Sequence, residues 1–560
     1  MVKDPLVIFD LFKIATPIIL VILALLLPRA TNQWLRQLEG KFTSIAQQKQ
    51  LSILLIGLVT ILANAAVSLL LFIPVPFVHD EFSYLLAADT FANGRITNPT
   101  HPLWIHFESL QIIQQPTYAS KYPPAQGLIL AVGQVIGGHP IVGVWLSMGL
   151  VCAIICWMLQ AWLPPRWALM GSLLAMLRLG ILGYWSQSYW GGAMAAIGGA
   201  LLFGALPRLI RQPQVSVSLL MGLGLAILAN SRPYEGLIIS LPVLIVLLVW
   251  MLKNQSFTGW ILFKRIVLPL VILLAITGTM MGYYNWRVTG NPLLMPYQVH
   301  ETTYSVAPIF IWQPLRPEPQ YNHKAIRDFH ITWGLTNYQS HYPLSNLIIT
   351  IWNKLKTHWS FFLGPMFTIP LITLPWVLRN RWIRLALLTS LLCLLAIIFE
   401  TYTTQPHYLA PITSLVFLIV VQSMRHLRLW CWRGKPTGRF IVCMVPLFAI
   451  LVLIVRLQLG LDTLDANSWN VRRASLQKQL EADEKFHLII VRYGAKHNLH
   501  HEWVYNNADI NSAKVVWARD IDDRQNCALI RYFYDRQVWL LNIDDQSIPQ
   551  LIPYPTNPCQ

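Results

Sequence analysis

Residues 51–82 read LSILLIGLVTILANAAVSLLLFIPVPFVHDEF, an apolar run that ends in two adjacent carboxylates, Asp80 and Glu81. The run from Leu51 to Pro76 is longer than the roughly 20 residues that a helix needs to cross a bilayer. An ionised carboxylate beside hydrocarbon is costly, so it is solvated, paired or functional. The stretch therefore predicts a membrane protein with a functional site at the mouth of its first long span.

The composition of the whole chain agrees with this prediction. Of its 560 residues 55% are hydrophobic and 12% are charged, whereas soluble domains carry about 25% charged residues. The formal net charge is +17, but the basic residues lie in short loops between apolar runs. Membrane topology explains that distribution, and nucleic acid is not a predicted partner.

Apolar runs predict about eleven transmembrane helices, or twelve if the apolar segment 14–27 also crosses. That N-terminal segment is short, so an interfacial helix is the alternative. The predicted spans lie near 51–73, 140–162, 167–183, 191–207, 215–229, 237–252, 266–284, 361–378, 385–399, 408–424 and 440–457.

The orientation follows from the basic residues in the loops. One alternating set of loops holds 18 Lys and Arg, whereas the short loops of the opposite set hold one, Arg232. Basic loops stay in the cytoplasm. The long loops 74–139 and 285–360 and the tail 458–560 are then predicted outside, in a multi-pass protein of the bacterial inner membrane.

Three regions are predicted along the chain: an N-terminal segment and loop over 1–50, a transmembrane domain over 51–457, and an extracytoplasmic α/β domain over 458–560. The outer loops are predicted to contain helices over 82–92 and 345–360. The predicted strands of the C-terminal domain lie over 486–493, 514–518, 528–534 and 538–543.

Asp80 and Glu81 are the strongest candidates for catalysis. A carboxylate at a half-apolar site can act as a general base. The alternative is that both residues cap the helix that follows, where acidic side chains favour the helix dipole. Because adjacent residues point in different directions on a helix, one carboxylate can cap while the other reacts.

Lys121 opens the sequence Lys121-Tyr122-Pro123-Pro124. Proline fixes the backbone of this turn, so the ammonium is held in place and suits a phosphate group. The alternative is that Lys121 reaches the lipid phosphates of the interface.

Further polar residues are predicted to face the same side of the membrane and are candidates for binding a substrate. A structural ion pair is the alternative for Arg232 and Glu235. The histidines and glutamates among them leave open the binding of a divalent metal ion, but no metal ligand is assigned and no other cofactor is predicted. The candidates are His79, Tyr122, Arg232, Glu235, Arg287, His300, Glu301, His407 and Tyr408.

The first outer loop begins with an Asp-Glu pair, continues with outer helices, and has Lys121 before two prolines. This pattern resembles the membrane glycosyltransferases of the GT-C fold. The resemblance covers roughly residues 51–424 and is to glycosyltransferase family 39, the protein O-mannosyltransferase and aminoarabinose transferase branch. In the aminoarabinose transferases the lysine directly precedes the two prolines, whereas Tyr122 intervenes here.

This resemblance implies an enzyme that transfers a sugar from a polyprenyl-phosphate donor at the extracytoplasmic face. Asp80 would be the general base, Glu81 would support it, and Lys121 would bind the donor phosphate. The acceptor, a glycan, a lipid or a protein, stays open. A transporter or flippase, or a non-catalytic membrane subunit, is the alternative; transporters usually bury charges near the midplane and show duplicated halves.

Overall fold

The computed structural model describes residues 5–26, 32–402, 404–459, 468–544 and 549–555. Within these residues, eight helices are long and apolar enough to cross a membrane, so the chain is an integral multi-pass membrane protein. They are Lys49–Leu70, Ile141–Trp162, Ala193–Arg211, Pro233–Lys253, Gly259–Thr289, Arg381–Ile398, Pro406–Leu427 and Thr437–Gln458.

Eight of the eleven predicted spans coincide with these helices. The other three are helical but are not single long helices. The predicted span 167–183 is a helix Pro165–Ala175 followed by a π-helical turn, Met176–Gly180. The predicted span 215–229 is a helix of 15 residues, Val215–Ala229, and the predicted span 361–378 is broken into short pieces.

The broken span follows the predicted outer helix, which is observed over Leu344–Phe362. The chain bends there by 89°. The last carbonyls of a helix have no partner within it. At this helix, Arg178 donates its Nε–H to Phe361 O at 2.9 Å and a second N–H to Ser360 O. Gly364, with φ +59°, then takes the left-handed conformation that completes the turn.

The N-terminal segment forms a helix, Pro5–Leu26, followed by a second helix, Asn32–Gln47. The first lies beside Thr437–Gln458, where the rings of Phe12 and Phe448 stack 6.1 Å apart. Residue 27, the end of the predicted segment 14–27, lies outside the described residues.

The predicted outer helix 82–92 is observed over His79–Ala92 and is called the cap helix below. It is followed by a two-stranded antiparallel hairpin of Ile112–Ile113 and Ala119–Ser120. The remaining helices of the two outer loops are Trp104–Phe107, Pro124–Gly137, Pro296–Tyr304, Lys324–Asp328, Phe329–Gly334 and Leu335–Gln339.

The C-terminal domain is a four-stranded sheet with two helices, Trp469–Ala482 and Asp523–Tyr532, so the predicted fold class is confirmed. The second helix corrects the predicted strand 528–534: the Asp522 carboxylate accepts the Gln525 N–H and starts a helix. The strands, in sheet order, are Val515–Arg519, His487–Arg492, Gln537–Asn542 and Leu551–Pro553; the first three are parallel and the last is antiparallel.

A buried ion pair within this domain contacts the first outer loop. Arg519 and Glu502 lie 2.5 Å apart, and the side chain of each is 2% exposed. Arg519 also donates to Glu108 O at 2.6 Å, and Glu502 accepts the Leu110 N–H at 3.2 Å. The first outer loop and the C-terminal domain thus share a buried network of charges and hydrogen bonds.

Arg519→Met should destabilise this docking strongly. It leaves the Glu502 carboxylate buried without its cation, which typically costs about 4 kcal/mol. The matched control is the pair of Arg492, which is half-exposed, with Asp520, and Arg492→Met should cost less than about 1 kcal/mol. Denaturation of the purified protein checks both variants, and equal losses would contradict the role given to the buried pair.

Candidate functional site

A cavity of about 840 Å³ lies where the spanning helices meet the outer loops. Its wall includes the ends of three spanning segments, the start of the cap helix, residues of both outer loops and His500 of the C-terminal domain. Acidic and basic side chains share the wall with apolar ones such as Met281 and Leu294. Its size is within the range of pockets that hold small organic ligands.

The cap helix directs its two carboxylates to different places. Glu81, in the first turn, accepts backbone N–H groups from Phe77 at 2.7 Å, Val78 at 3.2 Å and Tyr189 at 2.8 Å. It therefore caps the helix and does not line the cavity. Asp80 does line the cavity. One carboxylate caps and its neighbour faces the cavity, the division that the sequence left open.

Two neighbours hold Asp80. Its Oδ2 lies 3.1 Å from Nδ1 of His79, and its Oδ1 accepts a hydrogen bond from the Tyr122 hydroxyl. Burial opposes ionisation, but His79, the Tyr122 hydroxyl and Lys121 together outweigh it and hold the pKa of Asp80 well below its usual range. Asp80 is therefore an ionised carboxylate at neutral pH.

Lys121 follows the hairpin and is buried. Pro124 begins the next helix, so the turn is fixed as the sequence predicted. The Nζ atom lies 3.5 Å from Oε1 of Glu301 and 4.7 Å from the centre of the Tyr297 ring. Burial lowers the pKa of Lys121, against the opposing effect of Glu301 and Asp80.

Glu301 connects Lys121 to a second cation. Its Oε2 lies 3.7 Å from Arg316, and its Oε1 lies 3.8 Å from Nδ1 of His300. Although burial opposes ionisation, Lys121 and His300 lower the pKa of Glu301 to about 2. Glu301 is thus a carboxylate shared among several positively polarised partners.

Arg232 is a further cationic residue of the cavity wall. Arg232 is 4.0 Å from Glu235, and its guanidinium lies 4.3 Å above the centre of the Tyr408 ring. The predicted ion pair is thus present, and both of its members also line the cavity. The ion pair is therefore part of the cavity wall.

The cavity brings together eight of the twelve predicted site residues. The eight are His79, Asp80, Lys121, Tyr122, Arg232, Glu235, Glu301 and Tyr408. The other four lie outside its wall. Glu81 accepts backbone N–H groups at the start of the cap helix, and His300 lies beside Glu301. His407 lies 3.0 Å from the Tyr184 hydroxyl, and Arg287 lies 3.1 Å from the Tyr283 hydroxyl.

Sequence reasoning missed several residues of the wall. Most of them belong to the second outer loop, where the sequence predicted only the helix 345–360. His500 comes from the C-terminal domain, where the sequence predicted strands and no site residue. The missed residues include Gln111, Tyr297, Arg316, Phe329, His330, Trp333, Glu400, Tyr402 and His500.

Metal binding was left open by the sequence. Among the described residues, no group of three or more His, Cys, Asp or Glu side chains is arranged to hold a metal ion.

No family model and no curated protein matches this chain. Several solved structures are similar to it. ArnT from Cupriavidus metallidurans in the apo state has a TM-score of 0.47 and 12% identity, over 86% of this chain and 93% of that one.

Two structures of the oligosaccharyltransferase of Archaeoglobus fulgidus are also similar. The form tethered to an acceptor peptide containing the NVT sequon has a TM-score of 0.44 and 10% identity, over 79% of this chain and 61% of that chain. AglB in complex with an inhibitory peptide and a dolichol-phosphate has a TM-score of 0.40 and 9% identity, over 89% and 70%.

Ionisation of Glu81 should weaken the fold. Burial raises its pKa from 4.5 to about 7. Between these values the folded state keeps a proton that the unfolded state has released, so stability is lost as the pH rises through the folded pKa. Glu81→Gln should remove the fall in unfolding free energy between about pH 4.5 and pH 7, which amounts to at most about 3 kcal/mol.

Denaturation at a series of pH values measures this difference. The control is Glu318→Gln, which changes a half-exposed glutamate paired with Arg327. A wild-type protein and a Glu81→Gln variant with parallel pH profiles would show that Glu81 does not titrate in this range.

Proposed function

We propose that this protein transfers a sugar from a polyprenyl-phosphate donor to an acceptor hydroxyl, at the membrane face opposite the basic loops. The observation that carries the proposal is one cavity that combines an ionised carboxylate, Asp80, with the cations Lys121 and Arg232. Such a site can accept a proton from a hydroxyl and stabilise a departing phosphate in the same reaction.

Asp80 is proposed as the general base. The acceptor oxygen attacks the anomeric carbon while its proton passes to Asp80, and the bond from that carbon to the phosphate oxygen breaks with its electron pair going to the phosphate. The attacking hydroxyl becomes strongly acidic as the new bond forms, so a carboxylate of low pKa suffices. One in-line displacement inverts the anomeric configuration.

Lys121 is proposed to bind the donor phosphate. In the described cavity its ammonium is paired with Glu301, so an entering phosphate would compete with that carboxylate. Glu301 would keep Arg316 and His300 as neighbours. The exchange therefore leaves no buried charge without a partner, which keeps its free-energy cost low.

The apolar part of the wall supports a lipid-linked donor. Met281 and Tyr284 belong to the helix Gly259–Thr289. The same helix exposes Ile276 and Met280 by 51% and 68%, as expected of a surface in contact with hydrocarbon. A polyprenyl chain can therefore lie along this helix in the bilayer while its phosphate sugar enters the cavity.

Asp80→Asn should abolish transfer. The amide cannot take the proton, and removing a general base costs about 10²- to 10⁴-fold in rate. The assay supplies membranes with radiolabelled polyprenyl-phosphate sugars and compares the variant with wild type. Asp328→Asn, on the surface of the second outer loop, is the control; full activity in Asp80→Asn would remove this residue from the mechanism.

Lys121→Ala should raise the KM for the donor by about tenfold or more, because one charge-assisted hydrogen bond to phosphate is lost. The matched control is Lys324→Ala, which removes an ammonium that is 73% exposed on the outer surface. Donor titration with both variants tests the assignment. An unchanged KM in correctly folded Lys121→Ala would place the phosphate elsewhere.

A further inference from the structure

The C-terminal domain reaches the cavity through His500, which lies between the strand His487–Arg492 and Glu502. Its segment is firmly held. Nδ1 of His497 lies 3.1 Å from Asp544, the other ring nitrogen of His497 lies 2.9 Å from His501 O, and Glu502 takes part in the buried pair with Arg519. His500 is therefore presented to the cavity by an anchored segment.

The ring of His500 meets the residue that contacts the proposed base. Its Nδ1 lies 3.5 Å from Nε2 of His79, and the two rings are nearly parallel, with an angle of 16° between their planes. Phe329 and Trp333 pack at right angles against the His500 ring, with centroids at 5.8 Å and 5.3 Å. Such contacts in an empty site are often long and shorten when substrate binds.

The two nitrogens of His79 have different partners. Nε2 faces His500, while Nδ1 faces Oδ2 of Asp80 at 3.1 Å. The hydrogen bond at one ring nitrogen of a histidine determines which nitrogen carries the proton. If Nδ1–H of His500 donates to Nε2, the proton of His79 lies on Nδ1 and points at Asp80. The Gln111 amide, also 3.1 Å from Nδ1, can rotate to present its oxygen to that proton.

On the basis of the proposed function, we infer that His500 is a positioning residue of the C-terminal domain that orients Asp80 through His79. The domain is then part of the catalytic centre. His79 holds the carboxylate in the rotamer that faces the acceptor hydroxyl, and His500 holds His79 in the tautomer that can do so. Removing His500 affects the chemical step and leaves the donor-binding cations in place.

The test uses three changes in the full-length protein. His500→Phe keeps a ring against Phe329 and Trp333 but removes the nitrogen, whereas His500→Asn keeps a polar atom near the position of Nδ1. We expect His500→Phe to lower kcat about tenfold with the donor KM unchanged, and His500→Asn to recover most of that loss. In a His79→Ala background, His500→Phe should cause no further loss, because the partner through which it acts is gone.

Two results would overturn the inference: a His500→Phe variant with wild-type kcat, or losses from His79→Ala and His500→Phe that multiply. Nitrogen NMR of histidine-labelled protein reads the tautomer of His79 without any sugar transfer. If the wild type transfers no sugar, the proposed function fails. His79 signals that shift in His500→Phe would then still support the coupling, and unshifted signals would reject it as well.

Discussion

The structure of the cavity depends on one buried ion pair, Arg519 with Glu502. Removing two charges from water costs several kcal/mol for each ion, and the cost is offset only when the remaining hydrogen-bonding positions are also filled. Here they are filled by Glu108 O, the Leu110 N–H and the Tyr493 hydroxyl, which donates to Glu502 at 2.7 Å. Because two of these partners belong to the first outer loop, the pair is fully hydrogen-bonded only when that loop and the C-terminal domain are docked together.

Docking of the C-terminal domain onto the first outer loop determines which side chains line the cavity. The first outer loop continues into the hairpin that ends beside Lys121, and Glu502 lies two residues from His500. The same docking therefore positions both the segment that leads to Lys121 and the segment that carries His500. The apolar sheet also packs on this loop, with Leu488 and Ile490 in one core with Phe107 and Ile112. The buried charges determine how the first outer loop and the C-terminal domain align, and the burial of apolar side chains stabilises their contact.

Local pattern was sufficient to predict much of this architecture from the sequence. Eight spans, the cap helix and three of the four predicted strands follow from apolar periodicity, and the Asp80 and Lys121 motifs indicated the cavity. The features that the sequence did not predict depend on contacts between residues that are distant in sequence. Arg178 satisfies carbonyls 182 and 183 residues away at the broken span, and His500 meets His79 across 421 residues. A single sequence contains no periodicity that records such contacts. The predicted strand 528–534 failed for a local reason, the capping side chain of Asp522.

The charges of the cavity are arranged so that the proposed base and the proposed phosphate-binding cation do not neutralise each other. Lys121 is paired with Glu301, while Asp80 is held by His79 and the Tyr122 hydroxyl. If Asp80 were the direct partner of Lys121, a phosphate that displaced it would leave the carboxylate buried without a cation. Separate partners let a phosphate approach the lysine while Asp80 stays ionised and oriented. In-line displacement requires this separation, because the attacking hydroxyl and the leaving phosphate lie on opposite sides of one carbon.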